Sequence, residues 1–518
     1  MFQPNPSRLR PSLRYLSYSR RCLDATPFKI AIVGTGPAGF YTAHHLLHKS
    51  SPTTKLHIDF YERLPAPYGL SRYGVAPDHP EVKNCEEYMD NIMKDFGESS
   101  GNHVVRFFGN VNIGKDISLQ DLQSSYHSIV LSYGCTSADN QLNVPGAHSP
   151  GVISARQLVN WYNGHPDFYQ HNSHFVPPPL DQIEDVTIIG NGNVALDVAR
   201  ILLADPNTHW PSTDITTEAL QLLKKSTVKN VNIVARRGVL ESAFSNKEIR
   251  ELFELSKTDN IKFIPVDDSL LTGIDTKSLG RVDKRKITLI EKYCKAAKQE
   301  KVESDDKSED ESSKTWSLQY LKSPAEFIPS TKYPDLLSST VFSKNLLIHD
   351  PLTKRTTVIA TEAQETIKNE LVVLSIGYKG SPLPGFEELG ILFENNKLRN
   401  KHGRILSNES PADDTELHNS VFKKGWYTSG WIKNGPQGVI ATTMMDSFDT
   451  ADKILEDLSN GIHLNPNSSG DLLEEMSHTI DWSKWLKLNK YELDLGSQTG
   501  KTRAKVCDPE DMIKIANK

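Results

Sequence analysis

Two glycine-rich turns, each set between a short apolar run and an apolar helix-like stretch, constrain this chain more than any other feature. The first is Gly34-Thr35-Gly36-Pro37-Ala38-Gly39, which follows Phe28–Val33 (FKIAIV). After it come a helix-like stretch, Phe40–Leu47, and a second strand-like run, Leu56–Tyr61 (LHIDFY). The second turn, Gly190-Asn191-Gly192-Asn193-Val194-Ala195, follows Val186–Ile189 and precedes helix-like Val194–Leu203 and strand-like Val231–Ala235. Strand, turn, helix, strand is a βαβ unit. Two such units predict an α/β fold with two doubly wound, Rossmann-like domains. In GxGxxG the first glycine permits the tight turn and the second lets the backbone approach a pyrophosphate. The third lets helix and strand pack closely, so that the helix N-terminus faces the phosphates.

What stands at the end of the next strand separates the two sites. After Leu56–Tyr61 comes Glu62, a carboxylate placed to accept hydrogen bonds from an adenosine ribose. After Val231–Ala235 come Arg236 and Arg237, whose forked donors suit a 2′-phosphate. The acidic site reads as the adenosine half of FAD and the basic site as NADPH.

Further strand-then-glycine passages, Ile129–Gly134 (IVLSYG) and Leu371–Gly377 (LVVLSIG), look like chains leaving a nucleotide-binding sheet. The simplest topology inserts the second domain into the first: residues 28–144 and 381–518 form the FAD domain, and 145–380 the NADPH domain. Lys298–Lys314 (KQEKVESDDKSEDESSK) is charged and nearly free of apolar residues, so a solvated, acidic insertion loop is expected there. Residues 1–27 carry Arg8, Arg10, Arg14, Arg20 and Arg21 against one acid, Asp24, the pattern of a mitochondrial transit peptide.

Composition narrows the function. A net charge of −6 over 518 residues gives no basic field, so nucleic acid is not the expected partner. No apolar stretch approaches the ~20 residues that span a bilayer, which leaves peripheral association with a membrane open. Cys22, Cys85, Cys135, Cys294 and Cys507 are scattered with no CxxC pair, which supports neither a zinc site, an iron–sulfur site nor a disulfide framework. His44 and His48 have i,i+4 spacing, but His45 stands where HExxH needs its glutamate, so no metal site is expected.

The segments GTGPAGFYTAHHLL, YGLSRYGVAPDHPEVKN, GNGNVALDVAR, ARRG, SGWIKNGPQGVIATTMMDSF and LGSQTGKTRAKVCDPEDM together resemble the mitochondrial NADPH:adrenodoxin (ferredoxin) reductase family, in its fungal form, from about Phe28 to the C-terminus. The resemblance implies FAD contacts at Gly34, Gly36, Ala38, Gly39, Glu62, Leu70 and Val111, and at Trp431, Gly438, Val439 and Ile440. It implies NADPH contacts at Gly190, Asn191, Gly192, Asn193, Arg236, Arg237 and Glu248, with Gly438 also near the nicotinamide. It places His79 and Asp197 near the flavin as a proton-handling or orienting pair. The GPQG turn before the apolar run at Val439 would point a helix N-terminus at the flavin, stabilising negative charge on the reduced ring.

With neither a disulfide pair nor clustered thiols, electrons must leave the flavin for an external acceptor. The family implies a mitochondrial 2Fe–2S ferredoxin, adrenodoxin-like, in the matrix or at the matrix face of the inner membrane. That carrier would serve iron–sulfur cluster assembly, haem synthesis or cytochrome P450 reactions. Arg281, Lys284 and Arg285, within the basic run Lys277–Lys286 (KSLGRVDKRK), are the expected dock for an acidic ferredoxin; a solvated basic loop is the plainer alternative. Two rivals are an NADPH flavoprotein of the glutamate-synthase-subunit or flavin-monooxygenase type and a non-enzymatic dinucleotide sensor.

Overall fold

The computed structural model describes residues 26–518 except 98–101, 136–137, 170–172, 260, 305–312, 351–355, 412–420, 467–471 and 473–477. All but the last two residues of the expected 1–27 leader therefore lie outside the described residues.

Seven strands form the first sheet, in the order Asn400–Lys401, Arg404–Leu406, Phe422–Thr428, Ser128–Leu131, Phe28–Val33, Leu56–Tyr61 and Val104–Phe108. The last five of these run parallel. Strands covered on both faces read as continuous apolar runs; Ile30 to Val33 are all buried accordingly. Helix α1, Pro37–Lys49, follows the first turn. It begins earlier than the expected Phe40 because a proline at the first helical position sacrifices no hydrogen bond.

The second sheet has six parallel strands, ordered Val152–Ser154, Leu371–Leu374, Asp185–Ile189, Asn230–Val234, Lys314–Gln319 and Ile261–Ile264. All of them fall in the chain between Ser128–Leu131 and Asn400–Lys401, so this sheet is an insertion into the first. Where the chain crosses, Ala138–Asp139 pairs antiparallel with Tyr378–Lys379. Arg156 grips Asp139 through two bonds of 2.8 and 2.9 Å beside that crossing. Helices α2 (Asn193–Leu203), α3 (Asn246–Thr258) and α4 (Arg281–Ser304) belong to the inserted unit. A three-stranded antiparallel sheet, Lys322–Pro329, Leu337–His349 and Thr356–Lys368, packs Phe327, Leu337 and Phe342 against Ile189, Val234 and Val372. Helices α5 (Ile440–Ser459) and α6 (Trp482–Thr499) return the chain to the first unit.

Helix α4 corrects two expectations. The solvated loop expected from Lys298 begins later, because the helix continues through Ser304; residues 305–312 are outside the described set. Ile287, Ile290 and Cys294 anchor one face, and the following lysines, glutamine and glutamates are good helix formers that extend it. The basic run at Lys277–Lys286 is likewise not all loop. From Arg281 it is the first turns of this helix, and Lys286 is buried, its Nζ donating to the Ser242 carbonyl at 2.6 Å.

Candidate active site

Both glycine turns are built alike. Gly34 (φ +99°) presses against the chain after Ser128–Leu131: a Cβ there would lie 2.7 Å from Tyr133 Cα. Gly190 (φ +116°) presses against the chain after Leu371–Leu374, with a Cβ 2.0 Å from the Ser375 carbonyl oxygen. Neither position tolerates a side chain. At Gly36 and Gly192 the opposite holds, since a Cβ would meet nothing within 4 Å. Each of these is the N-cap of its helix, α1 or α2, and neither helix has a side-chain cap. Open space before an uncapped helix N-terminus is what a pyrophosphate requires, so both turns fit a dinucleotide. Gly39 keeps the third position small, its Cβ position 2.2 Å from the Gly34 carbonyl oxygen; Ala195 does so, fully buried, in the second turn.

Around the first turn, Glu62 is held by Thr35 N–H and Oγ1–H (3.1 and 2.7 Å) and by Leu64 N–H (3.0 Å). Three donors fix the carboxylate and leave it further acceptor capacity for a ribose. Val111 is buried, and its N–H donates to the Glu62 carbonyl at 2.9 Å, so its side chain belongs to the core and only its backbone borders this edge. Leu70 opens a one-turn helix, Leu70–Tyr73, directly after Gly69, whose Cβ position is 3.1 Å from Gly36 Cα. Ala38 meets the second stretch: a Cβ on Gly430 would lie 2.4 Å from Ala38 Cβ. Trp431 follows, its ring 5.8 Å from that of Tyr378. Gly438 has φ +84°, and the N–H of Val439 donates to Thr442 Oγ1 at 3.1 Å as Ile440 begins α5.

At the second turn, Asn191 Nδ2 donates to Ser242 Oγ at 3.3 Å, and Asn193 Oδ1 accepts from Ser245 N–H at 2.7 Å. Ser245 caps α3, so the turn is tied directly to the helix that carries Glu248. Arg236 and Arg237 are exposed at the end of Asn230–Val234, and neither guanidinium has a partner among the described residues. Two unclaimed cations at that strand end suit a phosphate monoester.

The two units meet at a charge cluster in which His79 and Arg200 are buried and the carboxylates around them half-buried. His79 and Asp78 come from the first unit; Asp197 and Arg200 lie on α2, and Glu248 and Glu251 on α3. His79 and Asp197 are not hydrogen-bonded to each other. His79 Nε2 instead lies 2.7 Å from Glu251 Oε2, which puts its proton on Nε2. Arg200 links the rest: Nε and Nη2 fork onto Asp78 at 2.6 and 3.0 Å, and Nη2 also reaches Asp197 at 2.9 Å. Burial pushes Asp197 above the usual carboxylate range, and it raises Glu248 to about 7 with help from Asp197. For His79 burial is the largest cause and acts downward, but the bond to Glu251 and the charges of Asp78 and Glu248 together outweigh it, and the net shift is up. His79, Glu248 and Glu251 offer ligand atoms within 4.8 Å of one another. Arg200, 3.3 to 3.9 Å from the same atoms, already supplies positive charge there.

Sequence reasoning missed Asp78, Arg200 and Glu251. The Asp197–Arg200 spacing of i,i+3 on a helix was the available signal. Elsewhere, Arg281, Lys284 and Arg285 line a groove of about 750 Å³ between α3 and α4, with Arg250 and Lys292 beside them.

Residues 28–266 match the pyridine nucleotide-disulphide oxidoreductase family. The Saccharomyces cerevisiae protein named probable NADPH:adrenodoxin oxidoreductase, mitochondrial, is 38% identical, the match covering 93% of this chain and 95% of that one. That of Bos taurus is 36% identical, over 98% and 96%. The structure of Mycobacterium tuberculosis FprA in complex with NADPH superposes with a TM-score of 0.79 at 32% identity, covering 95% of this chain and all of FprA. With identity at this level along nearly the whole chain, on a fold of two doubly wound units, one inserted into the other, this protein belongs to the mitochondrial NADPH:adrenodoxin oxidoreductase family.

Proposed function

We propose that this chain is an FAD-dependent NADPH:ferredoxin oxidoreductase of mitochondria, with FAD at the Gly34–Gly39 turn and NADPH at the Gly190–Ala195 turn. The observation that carries the reading is the pair of uncapped, open helix N-termini at Gly36 and Gly192, one followed by Glu62 and the other by Arg236 and Arg237, which have no partner among the described residues. An enzyme with two dinucleotide sites, one acidic at the ribose and one basic, is equipped to pass reducing equivalents from one to the other. FAD, once bound, accepts a hydride and releases electrons singly, which matches a two-electron donor to a one-electron carrier.

The chain's own part is binding, alignment and proton handling. The α1 and α2 N-termini hold pyrophosphates, Glu62 holds a ribose, and Arg236 and Arg237 select the 2′-phosphate. The charge cluster at the junction fixes how the two units face each other. Hydride transfer depends steeply on that alignment. Glu248, raised to about 7, and His79 are the groups able to hold or release a proton near neutral pH.

The ferredoxin reading rests on the adrenodoxin named for the relatives and on the basic groove between α3 and α4, which offers an acidic protein a complementary surface. The relatives are mitochondrial by name, which supports a matrix location for this chain, free or at the matrix face of the inner membrane. No helix among the described residues is long and apolar enough to cross a membrane, so association with a membrane would be peripheral. The test is cytochrome c reduction by NADPH with and without a mitochondrial 2Fe–2S ferredoxin. Strong ferredoxin dependence is expected. Rapid NADPH oxidation driven instead by one small substrate would identify a monooxygenase-type flavoprotein, and a yellow protein inert in both assays a sensor.

A further inference from the structure

Arg200 is 4% exposed and touches both units at once. Its Nη2 has two protons and three near neighbours: Asp78 Oδ1 at 3.0 Å, Asp197 Oδ1 at 2.9 Å and His79 Nε2 at 3.3 Å. His79 Nε2–H is committed to Glu251 at 2.7 Å, so both Nη2 protons go to the aspartates. The imidazole thus lies against the guanidinium without accepting from it. Nη1 points the other way. It is buried without a hydrogen-bond partner and faces Glu248 Oε2, also buried and unmet, at 3.7 Å. Buried charged atoms without partners are rare and mark places where geometry is held by something else.

We propose that Arg200 is a positioning residue for hydride transfer. Its fork onto Asp78 and its bond to Asp197 clamp the His79 segment of the FAD side to α2 of the NADPH side, and hold the His79 ring on Glu251. The inference rests on the functional reading above, hydride transfer from NADPH to FAD, with the two cofactors meeting at this junction. One guanidinium makes contacts that no other side chain can reproduce: three directed bonds in a plane, from a cation that burial does not neutralise. The same cation acts on every ionisable group packed around it. These are Asp78 and His79 from the segment after Tyr73, Asp197 on its own helix, Glu248 and Glu251 from α3, and Tyr162 behind Asp197. Lys247, which approaches Glu251 at 3.7 Å, and Tyr378, which faces Asp197, complete the set.

The test uses the full-length holoenzyme, with ferricyanide as acceptor, NADP⁺ binding read from the flavin absorbance, and FAD content counted per chain. Arg200→Lys keeps the charge but cannot span both aspartates; Arg200→Gln loses both. In each variant kcat per bound flavin should fall by on the order of 10- to 100-fold, while the NADP⁺ Kd stays within about threefold of wild type. Removing the cation raises the pKa of Asp197, Glu248 and His79 together. The ionisation limb of kcat/KM should therefore move to higher pH in Arg200→Gln and return towards wild type in Arg200→Lys, with kcat still low. Asp78→Asn should reproduce the fall, and combined with Arg200→Lys should add little to it. A kcat per flavin and a pH limb unchanged in both Arg200 variants would overturn the proposal, as would losses that only track lost FAD. If Arg200→Gln does not retain FAD, Arg200→Lys and Asp78→Asn decide by the same criteria. A wild-type protein that neither binds NADP⁺ nor oxidises NADPH would refute the functional reading itself, separately from the role of Arg200.

Discussion

Glu248 sits at 13% exposure among Asp197, Glu251 and Arg200, where ionising a carboxylate is costly. Its ordinary value is 4.5 and its value in the fold about 7, so between these pH values the folded state binds more protons than the unfolded state. Its contribution to stability is therefore greatest below pH 4.5 and is lost as pH rises to about 7. Glu248→Gln, which cannot ionise, should gain melting temperature relative to wild type as pH rises from 5 to 8, read by thermal unfolding at each pH. A gain that is flat with pH would place the titrating proton elsewhere. After the strand Asn230–Val234, replacing Arg236 and Arg237 with Gln should raise the KM for NADPH and spare that for NADH. Hydrogen bonds to a charged partner contribute about 1.5–3 kcal/mol each, so at least about tenfold is expected; equal effects on both coenzymes would move the 2′-phosphate site away from this strand end.

At the scale of elements, the contact between α1 and the turn before Trp431 joins chain segments separated by most of the sequence. Gly430 has φ +75°, its N–H donates to Asp446 Oδ2 at 3.0 Å, and a Cβ on it would lie 2.4 Å from Ala38 Cβ. Gly430→Ala must either open that contact or strain the backbone, at about 1–3 kcal/mol. It should lower FAD retention and melting temperature together, measured on protein purified without added FAD. Helix α4 was legible only in part: the basic run was plain, but its helical start and the burial of Lys286 were not. As a helix it presents Arg281, Lys284 and Arg285 one turn apart, lining one groove. Reversing Arg281 and Arg285 to Glu should raise the KM for ferredoxin and flatten its salt dependence, since exposed charges are screened beyond ~8 Å at physiological ionic strength. Ferricyanide reduction should be spared, and a normal salt dependence for ferredoxin would place the dock on another face.

Over the whole molecule, a second buried cluster fastens the chain's last segment to both units. Asp214 of the inserted unit binds Lys83 at 2.5 Å and Lys505 at 2.9 Å. Lys501 and Lys505 also donate to the carbonyls of Ile215 and Asn163, and Thr502 N–H to that of Ser212. Burial lowers Lys505 from 10.5 to about 8, while Lys83 and Lys505 hold Asp214 well below the usual carboxylate range despite its burial. Asp214→Asn leaves two ammonium groups in one buried site, and breaking such a pair costs about 3–5 kcal/mol. The folded state with Lys505 depressed binds fewer protons than the unfolded state between pH 8 and 10.5, so stability recovers as pH rises through that window. Asp214 itself holds Lys505 up at about 8, so without it the ammonium gives up its proton at lower pH, and the melting-temperature deficit of Asp214→Asn should narrow as pH rises towards about 8; a deficit constant with pH would mean that the ammonium groups are not its cause.

What the sequence determined by itself was everything written in local chemistry. A strand that must be buried on both faces is apolar throughout, a turn against a neighbouring strand must be glycine, and a ribose or a phosphate asks for an acid or an arginine at a fixed offset. Gly34 and Gly190 could be read as turns for that reason, and with them the two-sheet α/β architecture; the proposed roles of Glu62, Arg236 and Arg237 rest on the same local chemistry. The tertiary structure alone decided which charges meet. His79 finds Glu251 across 172 residues of chain, Arg200 finds Asp78 across 122, and Lys83 finds Asp214 across 131. Nothing in the residues flanking either member marks such a pair, because a buried ion pair is selected by the geometry of two packed units and not by the conformation of either segment.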